Sequence, residues 1–137
     1  MKTLKVRAWD TKRKEMHYID DLYFFEEEGI HEVVNGVAEG HHATYSITEF
    51  TGTYDNENKE LYSGDICYFT PMLVETVPTY KGVIEWDKFR FAIRNLDYDT
   101  KTPFSMYSTP FVNLDLFSVS VRKIGNIFEN PELLDKK

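Results

Sequence analysis

The side chains of this 137-residue chain that are able to do chemistry are few and scattered. Of its four histidines only His41 and His42 are neighbours. Adjacent residues of a strand project to opposite faces, and no cysteine or acidic residue stands around this pair at a zinc-site spacing. His17 and His31 lack a local partner motif and read as surface or half-buried polar residues. Cys67 is the only cysteine, which excludes an internal disulfide and any paired-cysteine motif. Within Asp65-Ile66-Cys67-Tyr68-Phe69 it reads as a small buried strand residue rather than a reactive thiol. No glycine cluster matches a phosphate loop or dinucleotide fingerprint, and no serine stands in a Gly-x-Ser-x-Gly elbow. Asp20, Asp21, Asp65, Glu85, Asp87, Asp97 and Asp99 supply carboxylates, but any acidic domain does so, and strand order decides their separations. No residue is assigned a catalytic, cofactor-binding or metal-binding role, and the expectation is a non-enzymatic protein without a cofactor.

Charge narrows the choice of partners. A formal net charge of -7 opposes a broad electrostatic grip on nucleic acid, which needs clustered cations to neutralise phosphates. The best local exception is the basic start of the chain, Lys2, Lys5, Arg7, Lys12, Arg13 and Lys14. These residues either solvate strand edges and a turn or form a surface for nucleic acid or an acidic partner. A stacking platform for single strands would need aromatics and cations on one open sheet face. Arg90-Ala92-Arg94 offers the cations without the aromatics, and Phe89, Phe91 and Ile93 on the other side read as core. Acidic residues gather at 26–28 and 55–60, an asymmetry able to steer self-association.

These residues must be positioned by strands. Apolar residues make up 42% of the chain and aromatics 15%, mostly Tyr and Phe, which favours packed strands over disorder. Leu4, Val6 and Ala8 alternate with Lys5, Arg7 and Trp9, the period-two pattern of a half-buried strand. A polar connection over 10–15 and Met16-His17-Tyr18-Ile19 complete a hairpin. Trp9 falls opposite the main apolar set, over a second small core or at a subunit contact. Leu22–Phe25 is a strongly apolar run interrupted by Glu26-Glu27-Glu28-Gly29. Asn35-Gly36 separates Ile30–Val34 from Val37 and suits the positive φ values of a tight hairpin turn. Ala43, Tyr45 and Ile47 alternate with Thr44, Ser46 and Thr48 as a further strand.

A composition change at Phe50-Thr51-Gly52 marks a boundary between an N-terminal β subdomain, 1–50, and a barrel-like β subdomain, 51–137. In the second, a turn-prone polar stretch precedes strands around Ser63-Gly64-Asp65, where glycine gives conformational room and aspartate accepts local N–H bonds. Pro71 and Pro78 bracket Met72–Val77, which reads as an edge strand or packed loop. Residues 83–86 and 89–94 form a hairpin around Asp87-Lys88. The stretch 95–115, broken by Pro103 and Pro110, reads as a long excursion. Its Phe104, Tyr107 and Phe111 either serve an interface or pin the loop to its own core. Phe117, Val119 and Val121 alternate as another strand. At the end, Asn130 suits the cap of a helical turn, Pro131 its first position and Glu132 its exposed amides. Leu133 and Leu134 then fold back onto the body.

Four blocks of this sequence are Lys5-Val6-Arg7-Ala8-Trp9-Asp10, Phe50-Thr51-Gly52 with Leu61-Tyr62-Ser63-Gly64-Asp65-Ile66, Gly82-Val83-Ile84-Glu85-Trp86, and Ile124-Gly125-Asn126-Ile127-Phe128-Glu129-Asn130-Pro131-Glu132-Leu133-Leu134. Together they resemble the YopX family of phage and prophage proteins. Their order and spacing span nearly the whole chain. The resemblance implies an all-β, YopX-like fold, a small barrel-like antiparallel body with an N-terminal β subdomain and a short C-terminal helical turn. It also implies a bacteriophage or prophage protein acting in the bacterial cytoplasm, and it carries no established biochemical activity. One departure is the segment Thr53–Lys59, where the family commonly has a lysine-rich stretch with a glycine. Here that glycine is missing and the positive charge is lower, so the turn geometry should differ.

The function expected from all this is that of an accessory protein that self-associates or binds another protein. The alternative is a nucleic-acid-associated protein using the basic N-terminal segment. The start of the chain lacks an apolar signal region and no stretch reaches membrane-spanning length, giving a cytoplasmic location as the default expectation.

Overall fold

A computed structural model describes residues 5–70, 80–87, 90–96, 111–113 and 120–135. Contacts divide the chain into two compact units, Met1–Phe50 and Thr51–Lys137.

The first unit contains strands β1 (Val6–Asp10), β2 (Glu15–Ile19) and β3 (Val37–Glu39), most of β4 (Thr44–Tyr54) and one helix, α1 (Tyr23–Glu28). The strands are antiparallel in the order β2-β1-β4-β3. The expected first hairpin is present, with Val6 opposite Ile19 and Asp10 opposite Glu15. Its alternation is not. All five residues of β1 are buried, including Arg7, Trp9 and Asp10. β1 is central in its sheet, between β2 and β4, and burial on both of its faces removes the polar half of the pattern. Arg7 is held inside by donating from Nε to Thr48 Oγ1 at 2.9 Å, among other contacts.

The apolar run at 22–25 turns out to be helical. Asp21 Oδ1 accepts the Tyr23 N–H at 2.9 Å, and Gly29 ends the helix by donating to the Phe25 and Glu26 carbonyls. Phe24 and Phe25 are thereby set against a core of Val6, Ala8, Ile19 and Tyr45, with the Phe24 and Tyr45 rings 5.1 Å apart. Asn35 and Gly36 have φ of 52° and 76°, the values that a two-residue hairpin turn requires.

β4 runs through the division between the units, past Gly52, and β5 (Glu60–Tyr62) pairs with it. The second unit's main sheet is antiparallel in the order β10-β6-β7-β8-β9. Its strands are β6 (Asp65–Thr70), β7 (Tyr80–Asp87), β8 (Arg90–Asn95), β9 (Phe111–Asn113) and β10 (Ser120–Asn126). The expected β7–β8 hairpin is present, but its strands run past the expected Asp87-Lys88 turn, with Ile84 opposite Ile93, Trp86 opposite Phe91 and Asp87 opposite Arg90. Neighbouring residues serve different cores. Cys67, Phe69, Ile84, Ile93 and Val121 pack with Leu61, whereas Ile66, Val83 and Leu96 pack with Ile124, Ile127, Leu133 and Leu134.

The chain closes as a 3-10 turn, Pro131–Leu134. The two leucines fold back as expected, but Asn130 does not cap the turn. Its Oδ1 accepts the N–H of Asn126 at 3.2 Å, and a Cβ on Gly125 would collide with Asn130 and Leu133. Asn126 Oδ1 accepts the N–H groups of Phe128 and Glu129 at 3.0 and 2.8 Å. The Asn126 and Asn130 side chains therefore clasp the bend that leads into the turn, and the amides they bind lie before it rather than in it. Met72–Val77, Phe89, Phe104, Tyr107, Phe117 and Val119 lie outside the described residues. Among the described residues no helix is long and apolar enough to cross a membrane.

Candidate functional site

The two histidines at 41 and 42 occupy a bend rather than a strand, and both are exposed. What holds them is Glu28, the last residue of α1. Its carboxylate is buried and faces His42 Nδ1 at 2.7 Å, while the His42 backbone N–H reaches Oε1 at 3.1 Å. The His41 N–H donates to the Glu28 carbonyl at 2.7 Å. Burial pushes the Glu28 carboxyl up, but the His42 ring, the His42 N–H and the Tyr45 hydroxyl together outweigh it and hold the group below its ordinary value. Tyr45 is shifted up, first by burial and then by the negative charge on Glu28. This pairing ties the helix end to the bend before β4. Among the described residues no group of three metal-ligating side chains converges.

Beside it the hairpin forks. Val34 and Val37 exchange both N–H···O bonds at 2.9 Å. In a regular ladder the next pair of this type would set residue 32 opposite residue 39. Both are glutamates, and like charges directly opposite destabilise a pair. Residues 31–33 leave the ladder, whereas β3 continues to Glu39. The arms enclose an open groove of about 380 Å³ lined by Gly29, His31, Glu32, Val34, Val37 and Glu39. Val33, Val34 and Val37 are 44%, 55% and 44% exposed at this tip, more than a valine needs if nothing is to meet it.

The other singled-out residues are placed as follows. Of the basic start, Arg7 is interior, while Lys12, Arg13 and Lys14 are exposed on the β1–β2 turn. That turn is fixed from below. Asp10 Oδ1 accepts the N–H groups of Lys12 and Arg13 at 3.0 and 2.9 Å, and Arg13 approaches Oδ2 at 3.6 Å. The Arg13 N–H leads in holding the Asp10 carboxyl below its usual range, against the opposing pull of burial. The Arg90-Ala92-Arg94 side is closed at its centre, since Ala92 is buried and Arg94 Nε bonds Glu85 at 2.8 Å. Cys67 is fully buried, and that burial pushes its thiol far up, away from nucleophilic use. Asp97 and Asp99 lie outside the described residues.

Asp65, in the Gly-Asp step, is structural. Its Oδ2 accepts the Tyr62 N–H at 2.7 Å and faces Lys123 Nζ at 3.2 Å, while Gly64 takes a φ of 92°. Asp55 holds the neighbouring loop, accepting N–H groups from Glu57, Lys59 and Lys123 at 2.8, 2.9 and 2.9 Å. Burial raises the Asp55 carboxyl, but these three bonds outweigh it and lower the group overall. Asn58, with φ of 65°, takes the left-handed position in this loop, so asparagine does there what a glycine would do.

Sequence reasoning missed Glu28, because its partner lies fourteen residues away, and it missed the groove. The signals were present separately, as an acidic run at 26–28 and glutamates flanking the Asn-Gly turn.

A family model described as YopX protein matches residues 5–135. Two solved structures share the fold. One is protein EF1440 from Enterococcus faecalis, 23% identical, with a TM-score of 0.53 over 96% of this chain and 97% of that one. The other is protein yopX from Bacillus subtilis, 17% identical, with a TM-score of 0.55 over 96% of this chain and 98% of its own. No curated protein matches the chain.

Proposed function

This chain belongs to the YopX family, and from that premise we propose that it is a non-enzymatic accessory protein of a bacteriophage or prophage, acting inside the bacterial cell by self-association or by binding another protein. The observation that carries this reading is the forked hairpin. Three exposed valines and an open groove stand together on a tip rimmed by Glu32 and Glu39. Contiguous exposed apolar side chains rimmed by charge are what a protein interface offers before it is covered. A catalytic site would instead gather polar groups with poised protonation in a concave pocket. The one buried carboxylate beside the groove, Glu28, is engaged by His42 and Tyr45 and held ionised.

Nucleic-acid binding by the basic N-terminal segment is the weaker alternative, because Arg7, one of its six cations, donates to Thr48 in the interior. Light scattering over a dilution series tests the proposal. Particles heavier than one 16.1 kDa chain, or a stoichiometric partner recovered from phage-infected cells, are the expected result. A monomer at every concentration, with no partner recovered, overturns it.

A further inference from the structure

The two charged features of the first unit complement each other. The fork places Glu32 and Glu39 on the two lips of a groove whose closed end is Val34 and Val37. Opening the hairpin moves two like charges out of direct opposition, and a cation seated between them would remove the remaining repulsion. The chain also carries a suitable cation donor. Lys12, Arg13 and Lys14 stand exposed on a turn that Asp10 locks through two N–H bonds. Thr11 adds bonds from its N–H and its hydroxyl to the Thr44 carbonyl at 3.2 and 3.1 Å, and Lys14 takes a φ of 60°. A turn fixed in this way loses little conformational freedom on docking, so its charge is presented at low entropic cost.

We propose that the forked hairpin receives the Lys12–Arg13–Lys14 turn of a second copy of this chain, with a cationic side chain seated between Glu32 and Glu39 and the three exposed valines covered by the contact. The inference rests on the self-association reading above and names its surface. Turn and groove lie on one unit, and a two-fold arrangement in which two copies exchange the contact closes a pair instead of propagating a filament. Charged contacts of this kind set the choice of partner and the encounter rate more than raw affinity, so the association is sensitive to salt.

The test uses full-length chains in sedimentation velocity. Lys12→Glu/Lys14→Glu has an acidic turn facing an acidic groove, and Glu32→Lys/Glu39→Lys has a basic turn facing a basic groove. Each alone should weaken self-association by about tenfold or more, since like charges brought together at an interface are costly. Mixed one to one, they should form a heterodimer, because each turn then meets a groove of opposite sign. The wild-type association should also weaken between about 0.1 and about 1 M salt, as the screening length falls from about 10 to about 3 Å. Variants that self-associate like the wild type, or a mixture that fails to pair while both components remain folded, overturn the proposal and leave the self-association reading standing. Loss of association in the groove variant alone also overturns it, because a different cationic segment then fills the fork. A wild-type chain that is monomeric throughout overturns the self-association reading itself.

Discussion

Both units bury carboxylates under loops, yet they use them to opposite ends. In the second unit Asp55 and Asp65 converge on the backbone and side chain of Lys123, and Asn126 ties down the residues that lead into the closing turn. The blocks of sequence that carry the family likeness here, Leu61–Ile66 and Ile124–Leu134, are occupied with holding strands and ends together. In the first unit Asp10 and Glu28 also fix loops, but the loops they fix point charge and apolar surface outward, at Lys12–Lys14 and at the fork beyond Gly29. The comparison teaches that the most recognisable residues of this chain are fold determinants. Its candidate interface is written in residues with no motif of their own.

The comparison breaks most sharply at Asp65. Replacing it with alanine strands the Tyr62 N–H and leaves the Lys123 ammonium without its buried partner, a change that costs about 3–5 kcal/mol in comparable buried pairs. Chemical denaturation should show that loss, and a change under about 1 kcal/mol would mean that the network is decoration. Next is the closing turn. Leu133→Ala with Leu134→Ala should lower stability by about 2–4 kcal/mol, the lower part of the range for large buried side chains because both are half-buried.

Acid should act on both units. Asp10, Glu28 and Asp55 all have folded-state values below their ordinary ones. The stability they contribute is therefore fully present above the unfolded values near about pH 4 and is lost as pH falls through the folded values. Denaturation midpoints measured between about pH 7 and about pH 3 should hold steady and then drop below about pH 4. Asp55→Asn should make that drop shallower, and an unchanged slope would remove Asp55 from the account. The smallest effect on stability is expected at the fork. Val34→Lys, at an exposed position, should move the unfolding free energy by no more than about 0.5 kcal/mol.

What was legible in the sequence follows the distance over which each feature is decided. The Asn35-Gly36 turn, the Gly64-Asp65 step and the β7–β8 hairpin were readable, because φ preference and two-residue periodicity act between near neighbours. The closing leucines were readable for the same reason, though the role of Asn130 was not, since Asn126 competes for its oxygen. Helix α1 was missed because six residues make less than two turns, and an apolar run that short fits a strand equally well. Arg7 looked like a surface cation until Thr48, forty-one residues away, supplied an interior acceptor. The fork depends on register, on residues 32 and 39 meeting across a turn, and register is set by the whole sheet.

The central claim is that the exposed tip of the first unit is an interface between copies of this chain. Sedimentation equilibrium on the wild type and Val34→Lys, side by side and with matched unfolding midpoints, tests it most directly. The account predicts an associating wild type and a variant whose mass stays at 16.1 kDa under the same conditions. Equal association of the two chains, or a wild type that never exceeds the mass of one chain, would contradict it.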